Sequence, residues 1–313
     1  MSTAAEGART VARPTSRAVR LRRNPVGRFL WKLPFWILVA LIFIYALFPF
    51  YWVLRSAFTP EVQLFNTPIS YFPHHPTVQN FREVLSSSFF RRALLNSTIV
   101  AGSVTLISLA VGSVAAYALG RFRFRGKSAV LYAMLSMTIF PQIAILGALY
   151  TMFTGFHVAG PIHFPKLYDT EWALILSYLI FTLPFTVWVL TGFMRALPAD
   201  LEEAAYVDGA TPLQVFYKVL LPLIAPGLVT TGLLAFIAAW NEFLFAQSFI
   251  QSPGHYTVPV AILSFQGASG NAFQTPWGQI MAATVVVTVP LIAATLLLQK
   301  RILAGLTAGA VKG

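Results

Sequence analysis

LPFWILVALIFIYALFPFYWVL, residues 33–54, decides what kind of fold this chain can adopt. None of its residues is charged. A helix rises 1.5 Å per residue, and about 20 apolar residues cross the ~30 Å of hydrocarbon in a bilayer. The stretch is therefore long enough to span. Five further apolar runs follow: Leu94–Leu119, Ser128–Phe153, Trp172–Met194, Leu223–Ile250 and Gly278–Leu298. Barrel strands in a membrane read as alternating segments of about ten residues. These runs are continuous and about twice as long. They predict an all-α polytopic membrane protein with six transmembrane helices.

The composition agrees. Of 313 residues, 57% are hydrophobic and 10% charged, against about 25% charged in soluble domains. The chain has no cysteine, which excludes disulfides and thiolate chemistry. Its five histidines form no HxxxH or HExxH spacing, so no metal site is expected. No GxSxG, no Walker lysine loop and no paired carboxylates appear. A membrane enzyme is disfavoured on those grounds.

The net charge of +12 is explained by topology. Cytoplasmic loops collect Lys and Arg. Six spans put the N-tail, the RFRFRGK loop at 121–127, the 195–222 segment and the C-tail on one side, with 17 basic residues against 5 on the other. Both termini are expected in the cytoplasm, with the basic side held against anionic lipid. No folded basic surface points to nucleic acid. Residues 1–32 read as a basic, disordered cytoplasmic tail. The long bulky run after it, with no small-x-small site, is a retained anchor rather than a signal peptide. Residues 33–304 read as the six-helix membrane domain and 305–313 as a C-terminal tail.

On the outer side, His75–Leu95 predicts an amphipathic helix. Residues 154–171 are polar, and loop 251–277 carries no fixed charge but many Gly, Ser, Gln and Asn. That loop fits either a partly buried hairpin or a segment that enters a binding cleft. Pro49, Pro141, Pro184, Pro226 and Pro290 interrupt the spans; each removes a backbone hydrogen bond and favours a kink. Ser108, Gly112, Ala116 and Gly120 recur every four residues, a face for close helix packing. Glu242, in WNEFLFA at 240–246, is an acid inside a span, which costs about 2.5–3.5 kcal/mol on insertion scales. It requires a partner or a wet cavity, as a pathway residue or as an inter-helix hydrogen-bonding group. Asn241 has the same two readings.

The segment between the fourth and fifth runs, 198–222, is cytoplasmic in this scheme. Pro198 and Asp200 start a helix, with Asp200, Glu202 and Glu203 in the first turn where the dipole favours acids. Ala204 and Ala205 are small. Gly209 permits a turn after Asp208, and Thr211–Pro212 supplies a fresh N-cap and first position. Leu213, Phe216, Val219 and Leu220 form an apolar stripe, and Leu221–Pro222 leads into the fifth run.

Glu203-Ala204-Ala205, Gly209 after three residues, then Val219 and Leu221-Pro222 resembles the EAA motif of ABC-importer permeases, EAA-x3-G-x9-I-x-L-P, with Val in place of Ile. NST at 96–98, WNEFLFA at 240–246 and GLTAGAVKG at 305–313 are similar to the MalG-type subunit of carbohydrate importers, the class that takes up di- and oligosaccharides. The resemblance covers roughly 33–313 and implies the type I importer permease fold in the cell (inner or plasma) membrane. It implies that the EAA segment is a coupling helix docked in a cleft of the ATP-binding subunit, with Ala204 and Ala205 allowing close approach, Glu203 in contact with the cleft and Gly209 making the turn, and that motion passes from it to the fifth span. It implies that the tail, through Thr307, Gly309 and Lys312, reaches into the ATPase dimer; Ala310 departs from the glycine usual there. Loop 251–277 would correspond to the loop that reaches into the sugar-binding protein. Implied partners are a homologous MalF-type permease subunit, an ATP-binding subunit homodimer, an extracytoplasmic sugar-binding protein and membrane lipid. ATP and Mg would be bound by the partner ATPase, with no cofactor on this chain. Trp240, Asn241, Glu242 and Gln142 are candidate pathway residues. An importer of another solute, such as a glycerol phosphodiester, would call for a basic residue within a span, and none is found. A secondary carrier would show inverted repeats and a chain of titratable groups.

Overall fold

The computed structural model describes residues 25–155, 166–268 and 275–310. Residues 1–24 of the expected N-tail, the middle of loops 154–171 and 251–277, and Lys312 lie outside the described residues, while residues 25–32, expected as disordered tail, form the first turns of a helix. Residues 1–51 and 52–313 form two compact units. Among the described residues all regular structure is helical: α1 Pro25–Ala57, α2 Gln79–Ser86, α3 Ser88–Arg121, α4 Lys127–Ile139, α5 Gln142–Phe153, α6 Glu171–Ala196, α7 Asp200–Val207, α8 Pro212–Gln214, a wide π turn Val215–Leu220, α9 Leu221–Leu223, α10 Ala225–Trp240, α11 Leu244–Phe249, α12 Val258–Ala268 and α13 Trp277–Ala310.

Four helices are long and apolar enough to cross a membrane, and two bent pairs raise the number to as many as six. The bends refine the expected spans. The third is not one rod: α4 and α5 meet at 94°. Pro141 has no N–H to donate, and Phe140 before it is extended at φ −67°, ψ 133°, the conformation a following proline enforces. The fifth is also broken. Its helix stops at Trp240, the chain unwinds over 241–243, and α11 resumes. Three of the remaining prolines do not break helices. Pro49, Pro184 and Pro290 lie inside continuous helices, and Pro226 sits in the first turn of α10, where a missing N–H costs nothing.

The centre of the larger unit is α3 packed on α6. The small residues of α3 make this possible. Ser108 is fully buried, its hydroxyl 3.1 Å from that of Thr182. A Cβ on Gly112 would stand 2.7 Å from Thr186 Cγ2, and one on Gly120 2.7 Å from Met194 Cβ. Ala116 between them has no exposed surface. The four-residue repeat is thus a packing seam, bringing two backbones together over three turns.

The expected helix within 75–95 is α2, but its Asn80 is buried. Its amide donates to the carbonyls of Ala57 and Thr59, both at 2.9 Å, groups that the end of α1 leaves unpaired. The next helix is capped by Ser87, whose hydroxyl accepts from Phe90 N–H.

Candidate functional site

The segment between α6 and α10 folds as two short arms around a turn. α7 opens with Asp200, Glu202 and Glu203 in its first turn, where the helix dipole stabilises acids. It closes with Asp208 N–H donating to Ala204 O, Gly209 N–H to Tyr206 O and Ala210 N–H to Ala205 O, each at 3.0 Å. Gly209 has φ +80° and open space around it, so the backbone conformation, not crowding, calls for glycine. The second arm begins with a capping box. Thr211 Oγ1 accepts from Gln214 N–H at 3.3 Å, and Gln214 Oε1 accepts from Thr211 N–H at 2.8 Å. Pro212 follows at the first helical position. The arm 212–223 meets α10 at 75°.

The apolar face of this arm differs from the expected stripe. Val215, Phe216 and Leu220 are buried, while Leu213 is 68% exposed. The π turn at 215–220 adds a residue per turn, so the buried face shifts away from the 3.6-residue register. Phe216 and Leu220 pack with Ala116, Tyr117, Leu190 and Met194, at the C-terminal ends of α3 and α6.

The two alanines of the EAA pattern also part company. Ala204 is exposed, whereas Ala205 is half-buried against the cluster around Val215 and Phe216. Glu203, Asp208, Gly209 and Pro222 are exposed. Around them lie exposed apolar side chains, Tyr206, Val207, Leu213 and Tyr217. Glu202 turns the other way: its Oε1 lies 2.5 Å from Arg121 Nε, with both side chains only 12–13% exposed. Sequence reasoning counted Arg121 for topology alone and missed this pair, because nothing in the local sequence places the end of α3 beside α7.

A second feature lies where the two broken spans meet. Trp240 is buried and stacks on Phe236, with ring centroids 5.4 Å apart. Asn241 is exposed and its amide bonds back to Ile237 O at 2.9 Å. Glu242 caps the broken end: its carboxylate accepts from Phe245 N–H at 2.9 Å and Ala246 N–H at 3.2 Å, the first free donors of α11. It also lines a cavity of about 40 Å³ with Gln142, Tyr178, Phe181, Thr182, Ala238, Ala239 and Phe245. The structure therefore brings Gln142 and Glu242 together, while Trp240 faces elsewhere. The space holds water but not a sugar ring in this conformation. Tyr178 and Thr182 were not anticipated as its walls.

At the opposite end of α6, residues 250–258 are held by a clasp. Asp169 accepts from the Gln251 and Ser252 N–H groups at 2.8 Å and from the Ser252 hydroxyl. His255 Nδ1 lies 2.7 Å from Glu171 Oε1. Asn96 donates to Gly254 O and Tyr256 O, and Ser97 Oγ accepts from Val258 N–H. Burial pushes the Asp169 carboxyl up, but the bonds from Ser252 and Gln251 outweigh it and hold the group below its ordinary value of 3.8. The NST stretch thus fastens this loop. Its continuation through 269–274 lies outside the described residues. Thr307 and Gly309 fall on the backbone of α13, which runs unbroken to Ala310 where a separate tail was expected. Among the described residues no cluster of three His, Asp or Glu side chains could hold a metal.

A helical membrane domain whose spans 4 and 5 are joined by a displayed, capped hairpin is the architecture of an importer permease. The chain belongs to the family of binding-protein-dependent transport system inner membrane components, matched over residues 108–307. It is a multi-pass inner-membrane protein. Among its relatives is the trehalose transport system permease protein SugB of Mycobacterium tuberculosis, 40% identical over 277 residues, covering 88% of this chain and 96% of that one. The trehalose/maltose transport system permease protein MalG of Thermococcus litoralis is 40% identical over 279 residues, covering 88% and 94%. A chain of a bacterial ABC transporter that imports the acidic polysaccharide alginate has the same fold, with TM-score 0.73 at 19% identity, covering 88% of this chain and 97% of that one.

Proposed function

We propose that this chain is one permease subunit of an ATP-driven, binding-protein-dependent importer for a di- or oligosaccharide of the trehalose/maltose type. It forms half of the translocation pathway beside a homologous MalF-type subunit. It passes the motion of an ATP-binding subunit homodimer, which holds ATP and Mg, into the membrane. The sugar is delivered by an extracytoplasmic binding protein. The names of the relatives at 40% identity support the sugar class. The observation that carries the coupling role is the exposed hairpin of 200–223. Glu203, Ala204 and Gly209 stand on its outer surface, rimmed by the exposed apolar side chains of Val207, Leu213 and the two tyrosines, which suit a protein cleft better than water. In this reading the hairpin faces the cytoplasm, and α13 carries Thr307 and Gly309, followed by Lys312, towards the ATPase.

Glu242, Gln142 and Asn241 mark where the pathway runs. The small cavity at the two helix breaks is the closed form of a route that widens when the broken helices move. Trp240 supports that wall from behind.

The test is reconstitution of the whole importer in liposomes. Sugar-loaded binding protein is expected to stimulate ATP hydrolysis, and Glu203→Lys or Gly209→Pro to abolish the stimulation in an assembled complex. Stimulation at the wild-type level in both variants would refute the coupling role.

A further inference from the structure

We infer that Arg121 and Tyr117, one turn apart at the C-terminal end of α3, clamp both arms of the coupling hairpin, so that its motion enters the membrane through the second span as well as the fifth. The inference rests on the coupling role proposed for the hairpin.

Each arm has its own anchor. Arg121, the last residue of α3, holds the first arm through Glu202 of α7 at 2.5 Å. Tyr117 holds the second. Its hydroxyl donates to Pro212 O at 3.4 Å, and its ring lies 5.1 Å from that of Phe216. Tyr117 is 8% exposed and packs in the cluster that buries Val215, Phe216 and Leu220. The hairpin therefore rests on α3 at two points on opposite sides of Gly209.

The end of α3 is built to carry such a load. Arg195 of α6 donates to Leu119 O at 3.5 Å, and Lys127 donates to Gly120 O and Phe122 O at 3.1 and 3.2 Å. These cations pair with the carbonyls that a helix end leaves free and with the negative end of its dipole. They tie the helix end to its neighbours α6 and α4. Behind it, the seam of Ser108, Gly112, Ala116 and Gly120 locks α3 to α6. A displacement of Glu202 thus pulls on a rigid pair rather than on a frayed end.

Two adjacent acids then divide the work. Glu203 is exposed and free to meet a partner, while Glu202 is turned inward to α3. A partly buried pair losing one member leaves a charge without its counter-ion, so removal of either side chain should loosen the joint.

The test uses the complete importer in liposomes, measuring sugar transported and ATP hydrolysed in the same preparation. Glu202→Gln and Arg121→Gln are expected to raise the ATP used per sugar by about fivefold or more, the scale of a typical coupling interaction. The double variant should be no worse than either single one, because both remove the same contact. Tyr117→Phe keeps the ring against Phe216 but loses the bond to Pro212 O, and should raise the ratio less than Tyr117→Ala, which removes both. Should Glu202→Gln fail to assemble, Arg121→Lys keeps the charge but loses the approach of Nε, and is read in the same way. A wild-type ratio in the Glu202 and Arg121 variants, with Glu203→Lys still defective, overturns the clamp alone. A wild-type ratio in Glu203→Lys as well overturns the coupling role on which it rests. Additive losses in the double variant also overturn the clamp, since they mean two unrelated structural effects.

Discussion

Replacing Gly209 by alanine isolates the one backbone feature on which the hairpin turns. Gly209 has φ +80°, and a Cβ there would meet nothing within 4 Å. Steric overlap contributes nothing, so the whole cost is that of a left-handed backbone in an L-residue, about 1–2 kcal/mol. That is a factor of about 5–30 in the equilibrium between closed and open turn. The readout is hydrogen exchange at Gly209 and Ala210, whose N–H groups donate to Tyr206 O and Ala205 O. Their protection in the assembled complex should fall by up to that factor, and sugar-stimulated ATP hydrolysis should fall with it. Gly209→Asn should lie between wild type and alanine, because asparagine tolerates this region. Protection unchanged in Gly209→Ala, or lost equally in Gly209→Asn, would refute the reasoning.

Other substitutions test the rest of the fold. Gly112→Ala and Gly120→Ala should each destabilise by about 1–3 kcal/mol through overpacking against Thr186 and Met194, while Gly102→Ala, with open space around it, should be neutral or stabilising; thermal unfolding of the purified complex separates them. Glu242→Ala strips the acceptor from the Phe245 and Ala246 N–H groups and should cost about 0.5–2 kcal/mol, as loss of a helix cap does, with Glu242→Gln closer to wild type in the same melt. Asp169 has a depressed carboxyl pKa, so its contribution is complete above the ordinary value of 3.8 and is lost as pH falls through the lower folded value. Limited proteolysis of the 250–258 segment should therefore be flat in its Asp169 component from neutral pH down to about 5, and Asp169→Asn should raise cleavage across that whole range.

Much of this architecture is legible in sequence because lipid imposes simple rules. Uncharged runs of sufficient length had to be helices, and the small residues of α3 announced a close seam. What the sequence could not say is which helix fills that seam, because Thr186 and Met194 carry no mark of it. Five prolines look alike in sequence, yet Pro49, Pro184 and Pro290 lie inside continuous helices while Pro141 and Pro226 follow breaks. The effect of Pro141 depends on whether the preceding turn is free to extend. The stripe through Leu213 failed because a π turn changes the period within a single turn, and no residue type encodes it. Glu202 and Glu203 are chemically identical neighbours. Only the distant end of α3 tells them apart, by claiming one of them. Arg121 was legible as a topological charge and not as a partner for the same reason.

The clamp changes where force should be sought. A hairpin joined only in sequence to α10 would have to push through Ile224, where the arm and α10 meet at 75°. That joint is itself packed, with Ile224 buried in the cluster of Phe216 and Leu220, so it is one route for the motion. The contacts at Glu202, Pro212 and Phe216 bypass it and deliver displacement to α3. From there the seam carries it along α6, because two helices packed with glycine against side chain have no slack to absorb a shift. Tyr178 and Thr182 lie on that same α6 and form walls of the cavity at Glu242. The hairpin and the small cavity are thus joined through α3 and α6 as well as along the chain through α10, whose Ala238 and Ala239 also line the cavity. Because α3 and α6 already move as one body, a disulfide or cross-link that joins them without touching the hairpin should leave both transport and its coupling to ATP hydrolysis intact. Loss of transport in that cross-linked complex would mean that the two helices must slide past each other, and would refute the rigid pair.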